Sequence, residues 1–180
     1  MLSQARRPVK VETRPELSIE EVIEEEKSSL PVDVVRVARR LRIVVEERDL
    51  PMTVSGLLIK REEGFAIQVN IHHSENRRRF TIAHEIAHFV LHSELFDGKI
   101  EDDALYRSET FSGALETQAN NYAAELLMSR KMIKRRYSAH CDVWKPDELP
   151  EDVVVEKMAA EFGVSNAAMR IRIDFVIHRN

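Results

Sequence analysis

Two histidines four residues apart, His84 and His88, bracket a glutamate in the order His84-Glu85-Ile86-Ala87-His88. On an α-helix that spacing puts two side chains about 40° apart around the axis and about one turn apart along it. Both imidazoles then reach one metal ion from the same face. Glu85 follows His84 directly, where its carboxylate can address a water held by that ion. The pattern points to metal-assisted hydrolysis. Its bland alternative is an amphipathic core helix with two surface histidines, and the flanking residues argue against it. Ile82, Ile86, Phe89 and Val90 form an apolar stripe that presses the helix into a core. Ala83, Ala87 and Ile86 keep the surroundings of the imidazoles small or apolar, and neither Pro nor Gly interrupts Phe80 to Leu95.

A catalytic zinc takes three protein ligands and leaves one position for water. His92 lies about 12 Å from His84 along the helix axis, too far to share one ion with it, and reads as a flanking residue. The third ligand is expected on a second helix, from about Thr110 to Met128. There Leu115, Ala119, Tyr122, Ala123, Leu126 and Leu127 make a buried stripe with Glu116 on its edge. A charge beside a core stripe needs a partner, and a metal is one. Glu109 is the alternative ligand. Asn120, one turn after Glu116, is placed to hydrogen-bond a metal-bound group, whereas Glu125 is expected in water. Zn2+ is the default ion for such a donor set, with Mn2+ also compatible. Glu85 would take a proton from the water and deliver it to the leaving amine. For the oxyanion, Tyr106, Tyr122, His92 and His140 are all open.

The elements that must position these groups can be read from the chain. Residues 1–17 are polar and Pro-interrupted. Ser18 with Glu21 is a capping box opening a Glu-rich helix to about Ser29, and Pro31 begins a second with Val32, Val35, Ala38 and Leu41 on one side. The acidic run 24–26 and the arginines at 36, 39, 40 and 42 read as solvated faces. Three strands follow, at 43–47, 54–61 and 65–71, with a hairpin turn at Glu62-Glu63-Gly64, forming a small antiparallel sheet. Residues 93–108 read as a loop and 141–152 as a connector. Two helices broken at Gly163 close the chain. The class is α+β: a metallohydrolase domain at 18–137 and a helical extension at 138–180 packed on it.

Composition narrows the setting. The 180 residues carry a net charge of −4, which argues for neither a nucleic-acid binder nor a membrane-surface protein. One cysteine excludes an internal disulfide and suits a reducing cytosol. The N-terminal stretch has no apolar signal region, and no run approaches a membrane span. A cytoplasmic protein is expected.

Arg79-Phe80-Thr81-Ile82-Ala83-His84-Glu85-Ile86-Ala87-His88 with Leu91-His92 resembles the core signature of the ImmA/IrrE metallopeptidases. Glu116, Ala119-Asn120 and Tyr122-Ala123-Ala124 with Leu126-Leu127-Met128 resemble that family's second motif. The resemblance implies a zincin-like fold and an intracellular zinc-dependent endopeptidase that cleaves, or otherwise inactivates, a helix-turn-helix repressor, relieving repression in a stress or mobile-element response. It also implies His84, His88 and Glu116 as metal ligands and Glu85 as the catalytic residue. Ala87 stands where glycine is common, and Ser129 where proline often follows. Two rival readings remain. Residues 159–172 resemble a helix-turn-helix whose Arg170 and Arg172 would contact phosphate. A metal-binding scaffold or toxin–antitoxin partner would act by binding alone, without need of Glu85.

Overall fold

Ser18 opens the first helix, α1 (Ile19–Glu26). Its hydroxyl accepts from the Glu21 amide at 3.2 Å while the Glu21 carboxylate accepts from the Ser18 amide at 2.8 Å, the reciprocal capping box. The computed structural model describes residues 17–96, 113–143 and 151–179. Expectations for residues 1–16, for the loop beyond Phe96 with Tyr106 and Glu109, and for the connector at 144–150 lie outside the described residues.

Helix α2 (Val34–Arg40) begins three residues later than Pro31, because Asp33 caps it by accepting from the Arg36 amide at 2.9 Å. The shift turns the buried face to Val34, Val37 and Ala38 and leaves Val35 50% exposed. Nor are the neighbouring charge runs simply solvated. Glu26, 5% exposed, takes Arg36 at 3.0 Å and Arg40 at 2.8 Å, and Glu25 takes Arg40 at 2.7 Å. Complementary charges thus fasten α1 to α2.

The sheet holds β1 (Ile43–Arg48), β2 (Gly56–Arg61) and β3 (Gly64–Asn70) in the order β1-β3-β2. β2 and β3 pair antiparallel across the Glu62-Glu63 turn, whereas β1 pairs parallel to β3. The sheet is therefore mixed, not wholly antiparallel. The expected meander fails because residues 49–55 carry the chain past β3 to its far edge. Asn70, fully buried at the end of β3, holds that crossing: its side-chain amide donates to the carbonyls of Leu50, Pro51 and Val54 at 3.0, 3.1 and 2.9 Å.

Helix α3 (Glu75–His92) lies against β2 and β3 and packs on α4 (Gly113–Leu127). The fully buried Ala83, Ala87, Ala119 and Ala123 leave room for a close approach. Ile86, Leu126 and Leu127 each contribute about 2 kcal/mol by leaving water. Ser129 starts α5 (Arg130–Val143), its hydroxyl accepting from the Met132 amide at 3.3 Å, so serine there caps a helix. Helix α5 is continuous through residues 137 and 138.

Helices α6 (Glu151–Phe162) and α7 (Asn166–Ile173) meet at Gly163, whose φ of 64° suits glycine. A Cβ there would also fall 2.9 Å from Arg79 Nε and 3.1 Å from Pro31 Cβ. Arg79 reaches this turn from α3, donating from Nε to the Gly163 carbonyl at 3.0 Å and from Nη2 to the Val32 carbonyl at 2.8 Å. Met158, Phe162, Met169 and Ile173 belong to the same core as Ile86 and Leu126. Among the described residues, no helix is long and apolar enough to cross a membrane.

Candidate metal centre

His84 and His88 stand one turn apart on α3 with their Nε2 atoms 3.0 Å from each other. Glu116, in the first turn of α4, closes the triangle: Oε2 is 3.3 Å from His84 Nε2 and Oε1 is 3.2 Å from His88 Nε2. Four ligands at zinc-like bond lengths in a tetrahedron sit about 3.3 Å apart, close to all three edges. Glu116 Oε1 is buried yet receives no hydrogen bond, as does His84 Nδ1. An orphaned carboxylate oxygen beside two imidazole nitrogens fits a cation, and this His–His–Glu cluster can bind a metal ion.

A third imidazole stands behind the first pair. His92 is 4% exposed, with Nδ1 3.1 Å from His88 Nδ1 and Nε2 3.2 Å from Gln118 Oε1. A His88 that presents the Nε2 lone pair keeps its proton on Nδ1 and donates it to His92 Nδ1. His92 then donates from Nε2 to Gln118. The chain fixes both tautomers. It accords with His92 as a flanking group. Gln118 carried no sequence signal, because a polar residue on a helix shoulder is unremarkable until its neighbour is known.

Glu85 is 4% exposed and points at β2, where the Leu58 amide bonds its carboxylate. Burial, and then the negative charge of Glu116, pushes its pKa up to about 8; the Leu58 amide opposes the rise. Burial also lowers both ligand-type histidines. His88 falls to about 3, with the charges of His84 and His92 adding to burial. His84 falls mainly by burial, opposed by Glu116 and by the Asn120 side chain. Neutral imidazoles are the form that binds a cation. Beside them opens a cleft of about 400 Å³, lined by Thr53 to Leu57, Arg77, Phe80, Thr81, His84, Glu85 and Asn120. Gly56 at its wall has no room for a side chain, since a Cβ would lie 2.4 Å from Thr81 Cγ2 and 2.7 Å from the Gln68 carbonyl oxygen.

Other sequence-derived candidates fall elsewhere. Tyr122 is half-buried, and burial with Glu20 and Glu24 pushes its hydroxyl up to about 12, which places it toward α1. His140 sits on α5, 3.7 Å from Glu161. Glu125 is not simply in water: it pairs with Arg172 and accepts from the Arg130 amide at 3.2 Å. That contact removes Arg172 from any phosphate, for its guanidinium is buried and Nε also donates to the Met128 carbonyl at 2.8 Å. Arg170 is taken by Asp152 at 2.5 Å.

A family model described as Peptidase_M78, IrrE N-terminal-like domain, matches residues 38–174. No curated protein matches the sequence at a significant level. Among solved structures, a Mycobacterium tuberculosis transcriptional regulator superposes with a TM-score of 0.51 at 18% identity, over 88% of this chain and 46% of that one. The chain therefore spans less than half of that protein's length, and the likeness is one of fold.

Proposed function

Because the chain belongs to the Peptidase_M78 family of IrrE N-terminal-like domains, we propose that it is a zinc-dependent endopeptidase with His84, His88 and Glu116 as metal ligands and Glu85 as general base. The observation that carries this reading is the meeting of two Nε2 atoms and an orphaned carboxylate oxygen at one edge of a cleft that Glu85 also lines. When bound, zinc supplies Lewis acidity to a scissile carbonyl and acidifies a water. With zinc held by these three residues, Glu85 would serve as the base toward a water in the cleft and as the acid toward the leaving amine nitrogen. Burial raises its proton affinity in the metal-free site, and a cation held by the histidines and Glu116 would pull it back toward the carboxylate form that a base needs. His92 and Gln118 hold His88 in the tautomer that offers Nε2.

The substrate enters as an extended segment. Among the described residues β2 pairs only with β3, so one edge of β2 is unpaired by any strand, and Thr53 to Leu57 line the cleft at its start. The target class is a helix-turn-helix repressor, as the motif resemblance implies, and the output is relief of repression in the cytoplasm. Arg172, committed to Glu125 and Met128, weakens the rival in which the chain itself binds DNA.

Elemental analysis of purified protein, beside cleavage of candidate repressors, tests the proposal. One zinc per chain is expected, lost in His84→Ala and Glu116→Ala. Glu85→Gln should keep the zinc and lose cleavage. No metal after reconstitution, or Glu85→Gln cleaving as well as the parent, would sink it.

A further inference from the structure

Three consecutive arginines, Arg77, Arg78 and Arg79, occupy the opening turns of α3. Cations are disfavoured there, because the amides of a helix N-terminus already concentrate positive potential. Two of the three are accounted for by structure. Arg78 pairs with Glu47 at 2.5 Å, and Arg79 is half-buried on the carbonyls of Gly163 and Val32. Arg77 is exposed and, among the described residues, bonds only a neutral partner: its Nη2 donates to Ser55 Oγ at 3.0 Å. Both Arg77 and Ser55 line the cleft that holds His84 and Glu85. Arg77 and Phe80 also line the adjoining groove that runs to Val164, Ser165 and Ala168.

We propose that Arg77 selects substrates with an acidic side chain two or three residues from the scissile bond. This rests on the endopeptidase reading above. The geometry sets the position. Arg77 precedes His84 by seven residues, so it lies about 10 Å up the axis and about 20° around it, on the same helix face. A peptide laid along the cleft that both residues line advances about 3.3 Å per residue, and the long Arg77 side chain covers part of the interval, which puts its guanidinium within about two or three substrate residues of His84. The chemistry sets the charge. A guanidinium has five N–H donors in a planar fork that matches a carboxylate with two parallel bonds, and Ser55 uses only part of that capacity. Ser55 steadies the long side chain across the cleft without neutralising it, so the positive charge stays available to substrate.

A proteome-derived peptide library digested by the zinc-loaded protein, with cleavage sites read by mass spectrometry, tests the proposal. Wild-type sites should be enriched in Asp or Glu at one fixed position two or three residues from the cut. Arg77→Gln should lower kcat/KM for those peptides about tenfold, the size of one charge-assisted bond in a half-open cleft. Arg77→Glu should move the preference at that position to Lys or Arg, with zinc content unchanged. Binding supplies a second readout: a cleaved peptide, labelled, should bind Glu85→Gln in a salt-sensitive manner and bind the Glu85→Gln/Arg77→Glu double variant about tenfold more weakly. Cleavage with the same preference in all three proteins, or with no acidic preference, overturns the role of Arg77 and leaves hydrolysis standing. No cleavage of the library by zinc-loaded wild type, together with none of the candidate repressors, overturns the hydrolytic reading and this one with it.

Discussion

His92 does not line the cleft beside His84 and Glu85, yet its removal should weaken zinc binding. On the proposed ligand set His88 would give zinc its Nε2 lone pair and keep its proton on Nδ1. That N–H has His92 Nδ1 as its acceptor at 3.1 Å, and His88 is fully buried. In His92→Ala the donor loses its acceptor, a loss of about 1–3 kcal/mol for a buried group. The metal-free protein bears less of this cost, because the neutral ring can move its proton to Nε2, 3.2 Å from Glu116 Oε1, leaving only a lone pair on Nδ1. The penalty therefore falls mainly on the bound state, and the zinc Kd should rise about tenfold to a hundredfold. Competition against a chromophoric zinc chelator at neutral pH reads this directly. His92→Gln, which retains an acceptor, should recover part of the affinity. A natively folded His92→Ala protein whose Kd lies within about twofold of wild type would refute the tautomer argument.

Three further outcomes are expected. Glu85 moves from 4.5 to about 8 on folding of the metal-free protein; stability from its neutral form is complete below the lower value and lost as pH rises through the upper one. Glu85→Gln has no such loss, so metal-free Glu85→Gln should gain thermal stability over wild type between about pH 5 and about pH 8, and a pH-independent difference in Tm would contradict this. Arg172→Ala leaves the Met128 carbonyl and Glu125 without their partner, and urea unfolding should show a loss of about 2–3 kcal/mol, below that of a fully buried pair because Glu125 is 40% exposed. Gly56→Ala pushes a methyl into Thr81 and the Gln68 carbonyl, so it should lose about 1–3 kcal/mol in thermal melts; a Thr81→Ser second change removes only one of the two clashes and should rescue only in part.

What the sequence disclosed was local. Helical spacing set His84 and His88 on one face, and the charge of Glu116 at the edge of an apolar stripe flagged it; the structure brings the three together. Ser18 with Glu21, the Glu62-Glu63 turn and the break at Gly163 likewise depend on neighbours a few residues apart. The failures share the opposite property. Parallel pairing of β1 with β3 depends on a crossing held by Asn70, which no turn residue announces. Glu125 looked solvent-bound because its partner Arg172 lies 47 residues away. Val35 turned outward because Asp33, not Pro31, sets where α2 begins. The acidic and basic runs of α1 and α2 each looked like ordinary surface, and only their juxtaposition makes them a joint.

One guanidinium ties both flanks of the chain to the helix that carries the histidines. Arg79, five residues before His84, grips a carbonyl that precedes α2 and another that follows α6. Trimming the chain before residue 151 would strip one jaw from this clamp and leave a half-buried cation loose in the second turn of α3. A unit that keeps this clamp whole therefore extends from Val32, at the α2 entry, to Gly163, at the α6–α7 turn.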